Sequence, residues 1–202
     1  MQQVLGGAPG AKVTLVDIPD LSDDNIIAGY SYIDNATNST GGALFQLVNS
    51  SFGGCELEYT AAYNGGVDYT YLLQMEQDLF VQGNAEGITF VASSGDSGGL
   101  GCPDASYGTS TATAPSRFVP GVEFPASSQN VTAVGGGNLL TTYSPPSLNS
   151  AYTGENAQGD PELPYDVYGL GTYVYGGYWG AGGGVSSIFT KPTYQALSLI
   201  HI

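Results

Sequence analysis

The stretch GITFVASSGDSGG, residues 87–99, decides the fold of this chain. Its first part, residues 87–95, is a run of apolar and small residues that predicts a buried β-strand. The strand ends at Asp96, which stands between Gly95 and the glycines at 98 and 99. Because glycine permits tight turns and the close approach of a ligand, this acid either meets a ligand or caps the following turn. Active sites of open parallel sheets lie outside the carboxyl ends of the strands, so Asp96 is a candidate site residue.

The segments upstream of this stretch alternate between strand and helix patterns. Strands are predicted over 11–19 and 42–54, and helices over 21–33 and 67–83, the first with Ser22 as its N-cap. Apolar residues on one face of the second helix indicate core packing rather than a cofactor site: Leu72, Met75, Leu79 and Phe80. Strand, helix, strand, helix, strand is the pattern of an α/β fold, a parallel sheet flanked by crossover helices.

The second half of the chain has a different character. From residue 98 onward Gly, Pro, Ser, Thr and Tyr dominate, and short strands with long loops are predicted around VEFPASS, VTAVGG and TYVYGGYWGAGGG. Residues 141–171 are the most loop-like part. This half lacks the apolar mass for a core of its own, so we expect one domain rather than two.

Composition excludes several functions. The 202 residues carry 18 acids against three bases, a net charge of −15, which argues against nucleic acid and anionic membranes as partners. No apolar run approaches the ~20 residues of a membrane span. Carboxyls crowded by like charges have a raised pKa in the folded state, and their contribution to stability is lost as pH rises through that value. The composition therefore suggests tolerance of acid.

The two cysteines, Cys55 and Cys102, each follow an apolar run that predicts a strand. If those strands are neighbours, the two residues lie at the same end of the sheet and within bonding distance. A disulfide and two free thiols remain the alternatives. No spacing of His, Cys or acids resembles a metal site, so no metal ligands are predicted in this chain.

The only histidine is His201, within the tail LSLIHI, residues 197–202. That tail matches the translation of a sequencing adapter and is expected to be read-through, with a short native strand as the alternative. A serine nucleophile in this chain would therefore need a carboxylate as its base, which works best in acid.

Several stretches resemble, in order, the serine-carboxyl peptidases known as sedolisins. VASSGDSG resembles the family's strand-and-acid motif. The other matching stretches are APGAKVTLV (8–16), NSSFGGCE (49–56), FPASSQNVTAVGGG (124–137) and WGAGGGVSSIFTKPTYQ (179–195). The resemblance covers residues 1 to about 195, and we expect residues 1–196 to be the central part of a catalytic domain.

The resemblance implies a subtilisin-like parallel sheet flanked by helices, truncated at both ends. It also implies a Ser nucleophile, a Glu base with an Asp behind it, and an oxyanion-hole carboxyl at Asp96. A protonated carboxyl group can donate a hydrogen bond to the oxyanion, which explains an acid among glycines. The family's Glu and Asp would lie upstream of Met1, and its Ser and calcium ligands beyond residue 196. We therefore expect this chain to be inactive alone.

A substrate cleft is expected beside Asp96. Extended peptides bind by adding a strand to an exposed edge, and the residues that end the strand over 42–54 would provide that edge. The predicted substrate-binding residues are Ser51, Phe52, Gly53, Gly54 and Gly95. Phe52 either forms an apolar wall or belongs to the core. Ser110, in the sequence GTSTA, precedes the late family motifs and is rejected as the nucleophile.

Two functions from different classes follow. The first is a secreted, extracellular acid endopeptidase that acts on peptides as a monomer, with a propeptide and calcium implied by the resemblance. The second is a non-catalytic extracellular module, or pseudoenzyme, that binds glycans or peptides through aromatic residues: Tyr173, Tyr175, Tyr178 and Trp179.

Overall fold

A computed structural model describes residues 2–105, 118–144, 149–161 and 178–195. The helices are α1 (Gln2–Gly7), α2 (Asp23–Asn35) and α3 (Thr70–Ala85). The strands are β1 (Leu47–Ser50), β2 (Gly54–Cys55), β3 (Thr89–Ser93), β4 (Cys102–Pro103), β5 (Phe118–Val119), β6 (Glu123–Phe124), β7 (Val131–Val134), β8 (Gly137–Ser144), β9 (Asn149–Ala157), β10 (Gly159–Pro161) and β11 (Tyr178–Gly180). Short 3₁₀ turns lie at Glu56–Tyr59 and Thr193–Gln195. Within these ranges no helix combines the length and the apolar character needed to cross a bilayer.

The centre of the fold is a parallel sheet in the order β1–β3–β7. Ser50 of β1 is the register partner of Ala92 in β3, and Ala92 is in turn the partner of Ala133 in β7. The helix α3 precedes β3 and crosses over from the β1 side, as parallel pairing requires. The predicted α/β architecture is therefore confirmed.

The core lies between this sheet and the helices α2 and α3. Aromatic rings dominate it: the Phe80 ring lies 4.8 Å from that of Tyr30, edge-on, and 5.1 Å from that of Phe90. The buried members of the cluster are Tyr30, Ile33, Leu73, Phe80, Ile88, Phe90, Ala92, Phe124 and Val131. Ser22 precedes α2 as predicted, but its hydroxyl makes no capping hydrogen bond.

The buried face of α3 differs from the predicted one. Met75 is 47% exposed, and Leu72 and Leu79 are only partly buried, whereas Phe80 is buried as expected. The buried residues are Leu73, Glu76, Gln77, Phe80 and Gly83. The prediction failed because two polar residues occupy this face. Gln77 is satisfied there, since its amide donates to Oδ1 of Asn130 at 2.7 Å.

Two other predictions about secondary structure are wrong. Residues 11–18 form no strand, because no described residue pairs with them, and Leu15 is left 69% exposed. Residues 141–171 contain much of a β-hairpin rather than loop alone, since β8 and β9 pair antiparallel from Gly137↔Ala157 to Ser144↔Asn149. Paired strands satisfy their own backbone groups, so this hairpin forms despite a composition rich in turn residues.

Buried carboxyls lie where the two helices meet the sheet. Asp34 on α2 is 2% exposed and its oxygens have no hydrogen-bond partner among the described residues. Burial, and then repulsion from Glu86, raise the pKa of Asp34 to about 6. Glu76 on α3 is also 2% exposed, and burial, followed by repulsion from Asp23, raises its pKa to about 8. Burial disfavours the charged form of both carboxyls, so both contribute more to the stability of the fold in acid than at neutral pH.

Replacing Glu76 with Gln should flatten the dependence of stability on pH. The raised pKa means that the stabilisation from protonated Glu76 is complete below its ordinary pKa and is lost as pH rises toward about 8. One such group changes the free energy of unfolding by at most about 1.4 kcal/mol per pH unit. Glu76→Gln should match the original chain in acid and exceed its stability at neutral pH, as measured by urea unfolding across pH.

Asp78→Asn is the matched control, because Asp78 lies on the exposed face of the same helix. As a substitution at an exposed position, Asp78→Asn should change the free energy of unfolding by no more than about 0.5 kcal/mol. Parallel profiles for the Glu76→Gln variant and the original chain would contradict this account of Glu76.

Candidate functional site

The loop after β3 carries Asp96 at the carboxyl end of the sheet. Gly95 and Gly98 adopt φ values of 101° and 60°, which favour glycine, so the chain can reverse sharply on both sides of the acid. The side chain of Asp96 is exposed, and among the described residues its carboxylate makes no hydrogen bond to the turn that follows. The acid is therefore free to meet a ligand, and the geometry gives no support to a capping role.

The strand β11 holds this loop through its backbone. The amide of Gly180 donates to the carbonyl oxygen of Asp96 at 2.7 Å, and the amide of Gly98 donates to the carbonyl oxygen of Gly180 at 3.0 Å. Gly182 continues the contact by donating to the carbonyl oxygen of Gly95 at 2.9 Å. A Cβ atom at position 182 would overlap the carbonyl group of Ser94, so only glycine permits this approach.

The predicted cleft residues follow β1, next to β3. Ser51 and Gly53 are exposed, while Gly54 pairs with Phe124 through β2 and β6. Phe52 is half-buried and packs against the core, with its ring 6.5 Å from that of Tyr30. Phe52 thus contributes to the core, while Ser51 and Gly53 on either side of it are exposed at the edge of the sheet that carries the Asp96 loop.

Glu123 is a candidate site residue that the sequence analysis missed. Its carboxyl group fills the space beside two glycines, because a Cβ atom at Gly95 would lie 2.5 Å from its Oε1 and one at Gly53 3.1 Å from its Oε2. Burial, and then repulsion from Asp96, raise the pKa of Glu123. The signal in the sequence that could have revealed Glu123 is the presence of an acid within VEFPASS, a stretch with a strand pattern. Glu123 therefore lies beside the backbone that precedes Asp96, close enough for the two carboxyl groups to repel each other.

A disulfide joins the chain that follows β1 to the chain that follows β3. Cys55 in β2 and Cys102 in β4 are bonded, with their Cα atoms 5.0 Å apart. Of the two alternatives left by the sequence, the disulfide is the one present. The bond connects the chain just after residues 51–54 to the chain that leaves the Asp96 loop.

Other residues from the sequence analysis lie outside the described part. These are Ser110, Tyr173, Tyr175 and His201, and of Tyr178 and Trp179 only the backbone is described, as part of β11. Among the described residues no group of three or more His, Cys, Asp or Glu side chains could hold a metal ion.

Comparisons with known proteins identify the class. The chain belongs to the subtilase family, Peptidase S8, whose match covers residues 1–196. It is similar to sedolisin from Pseudomonas sp. (strain 101), with 32% identity over 197 residues that make up 97% of this chain and 28% of that relative. The chain thus spans little more than a quarter of the curated relative it matches.

Similarity to a solved structure supports the same assignment. The chain is similar to Pseudomonas sedolisin, a serine-carboxyl proteinase complexed with two molecules of pseudo-iodotyrostatin, at a TM-score of 0.63 and 29% identity, covering 100% of this chain and 46% of that one. The resemblance to the sedolisins and the subtilisin-like fold are therefore confirmed, and the family is one of serine peptidases.

Replacing Gly95 with Ala should cost more stability than the same change at Gly98. Both positions have positive φ, so each substitution strains the backbone, by about 1–2 kcal/mol. Only at Gly95 would the new methyl group also overlap the Glu123 carboxyl, whereas nothing lies within 4 Å at Gly98. Urea unfolding of both variants measures the difference. Adding Glu123→Ala should recover part of the loss in Gly95→Ala, and equal costs at the two glycines would contradict the packing described here.

Proposed function

We propose that this chain forms the substrate cleft and oxyanion hole of a secreted acid endopeptidase of sedolisin type. The observation that carries the proposal is the exposed carboxyl of Asp96 at the carboxyl end of β3, which has no hydrogen-bond partner among the described residues. The similarity to a serine-carboxyl peptidase supports this assignment.

In the proposed reaction, a serine from outside this chain attacks the scissile carbonyl carbon and gives its proton to a glutamate. The electron pair of the carbonyl moves onto oxygen, and the protonated Asp96 carboxyl donates a hydrogen bond to that oxyanion. A neutral carboxyl acts here as an amide side chain does in other peptidases.

The substrate would be an extended peptide. Ser51 and Gly53 are exposed at the edge of the sheet that carries the Asp96 loop, where a peptide could pair as an added strand. Glu123 would lie beneath it, between Gly53 and Gly95. These observations support Ser51, Gly53 and Gly95 as substrate-binding residues, whereas Phe52 and Gly54 are proposed from the sequence alone, since Phe52 packs against the core and Gly54 pairs with Phe124.

The proposed setting is acidic and extracellular. The net charge of −15 is relieved when carboxyls protonate, and three of them, Asp34, Glu76 and Glu123, have a raised pKa. A monomer with a propeptide and calcium is proposed from the family alone. No group of acids in the described residues fits a calcium ion, so calcium has no part in the steps above.

Asp96→Asn and Asp96→Ala, made in a full-length peptidase that contains this chain, test the proposal. The amide of Asn donates at all pH values, so Asp96→Asn should keep part of the turnover and extend it toward neutral pH. Asp96→Ala removes the donor and should lower kcat by about 10²–10³. Initial rates on a peptide substrate across pH, corrected for the folded fraction, measure both effects.

A normal kcat in Asp96→Ala would contradict the oxyanion role. A folded full-length protein without turnover would support the pseudoenzyme alternative instead. The 202-residue chain alone should not hydrolyse peptides in acid, and clear hydrolysis would reopen Ser110 as a nucleophile.

A further inference from the structure

Glu56 is a buried carboxylate outside the proposed machinery. It follows Cys55 directly and is 1% exposed. Its Oε2 accepts a hydrogen bond from Oγ of Ser186 at 2.7 Å, and its Oε1 accepts from the amide and hydroxyl of Ser187 at 2.6 and 3.0 Å. Hydrogen bonds to a carboxylate are about twice as strong as those between neutral groups. Three such bonds make a firm attachment across 130 residues of sequence.

The attachment orders the turn that ends the glycine run 182–184. Ser186 Oγ also accepts hydrogen bonds from the amides of Ile188 at 3.1 Å and Phe189 at 2.8 Å. The Phe189 ring then stacks on Phe124 at 5.6 Å, within the core. Glu56 therefore fixes one end of the segment from Gly180 to Ser187.

The other end of that segment holds the Asp96 loop. Gly180 donates to the carbonyl oxygen of Asp96 and Gly182 to that of Gly95, as described above. Between the two ends lie three consecutive glycines, which have no side chains to restrict their backbone. Near Asp96 the segment is also held by β10, since Gly180 pairs with Gly159 and the amide of Ala181 donates to the carbonyl oxygen of Gln158 at 3.1 Å. The end distant from Asp96, beyond the glycines, is held by Glu56.

We propose that Glu56 is a positioning residue for Asp96, acting through the segment 180–187. This role rests on the proposed function of Asp96. Glu56 is itself fixed, because its neighbour Cys55 is bonded to Cys102 and its amide donates to the carbonyl oxygen of Val122 at 3.2 Å. A donor displaced by about 1 Å from an oxyanion can lose about 10² in rate, so a distant anchor matters for catalysis.

Native-state hydrogen exchange of this chain tests the anchor without any activity. In Glu56→Ala, the amides of Gly98, Gly180 and Gly182 should exchange about tenfold faster or more, beyond any change at the β3 amides. Glu56→Gln should restore part of the protection, because its Oε1 can still accept from Ser187. Ser186→Ala, which removes one donor, should act in the same direction and serves if Glu56→Ala does not fold.

The matched control is Gln77→Ala. Gln77 is also a buried polar residue with side-chain partners, but it bonds Asn130 and Ser128 rather than the segment 180–187. It should lower global stability without a selective effect on the three glycine amides. In the Glu56 and Ser186 variants, the exchange rates of these three amides are compared with the rates of the β3 amides. A rise by the same factor in both sets would make Glu56 a purely structural residue and would overturn the proposal.

Kinetics in a full-length peptidase test the consequence for Asp96. Glu56→Ala should lower kcat by about 10–100-fold per folded molecule while KM changes by about twofold or less, with partial rescue by Gln. Gln77→Ala should leave kcat per folded molecule unchanged. Selective exchange with an unchanged kcat would overturn the positioning role. Failure of the proposed function is separate, since it appears as normal turnover in Asp96→Ala whatever the exchange results.

Discussion

The parallel pairing of β3 with β1 on one side and β7 on the other is the constraint on which the site depends. Parallel strands bring their carboxyl ends to one edge of a sheet. Here that edge receives Ser51 to Gly54 after β1 and Asp96 after β3. A shift of register by one residue would turn Phe90 and Ala92 away from the helices and expose the core. The buried aromatic cluster therefore fixes the register, and the register places Ser51 and Asp96 at the same edge of the sheet.

Glycines and buried carboxyls complete the arrangement in complementary ways. At positions 53, 95 and 182 the absence of a side chain lets Glu123 and neighbouring backbone approach closely. Three carboxyls, those of Asp34, Glu76 and Glu123, occupy buried positions of the kind that neutral side chains usually fill. Burial raises the pKa of each. Such groups cost stability as pH rises, which is consistent with the proposed function in acid.

Much of this could be predicted from local patterns. The order of strands and helices from residue 21 to residue 95 follows from apolar periodicity, and Asp96 follows from the glycines around it. The buried face of α3 could not be predicted, because Glu76 and Gln77 are buried by contacts distant in sequence. Glu123 and Glu56 were missed for the same reason, since the partners of Glu56 lie about 130 residues away. The strand predicted over residues 11–19 does not form, because its apolar pattern has no pairing partner among the described residues.

In the proposed function, Asp96 acts as a neutral hydrogen-bond donor to the oxyanion. Carbon-13 NMR of aspartate carboxyls, in a full-length peptidase bound to a peptide aldehyde, measures its protonation directly, with Asp96→Asn to assign the signal. In acid, the Asp96 carboxyl should show the chemical shift of a protonated acid while the aldehyde adduct is present. The shift of an ionised carboxylate in the bound complex would contradict the account.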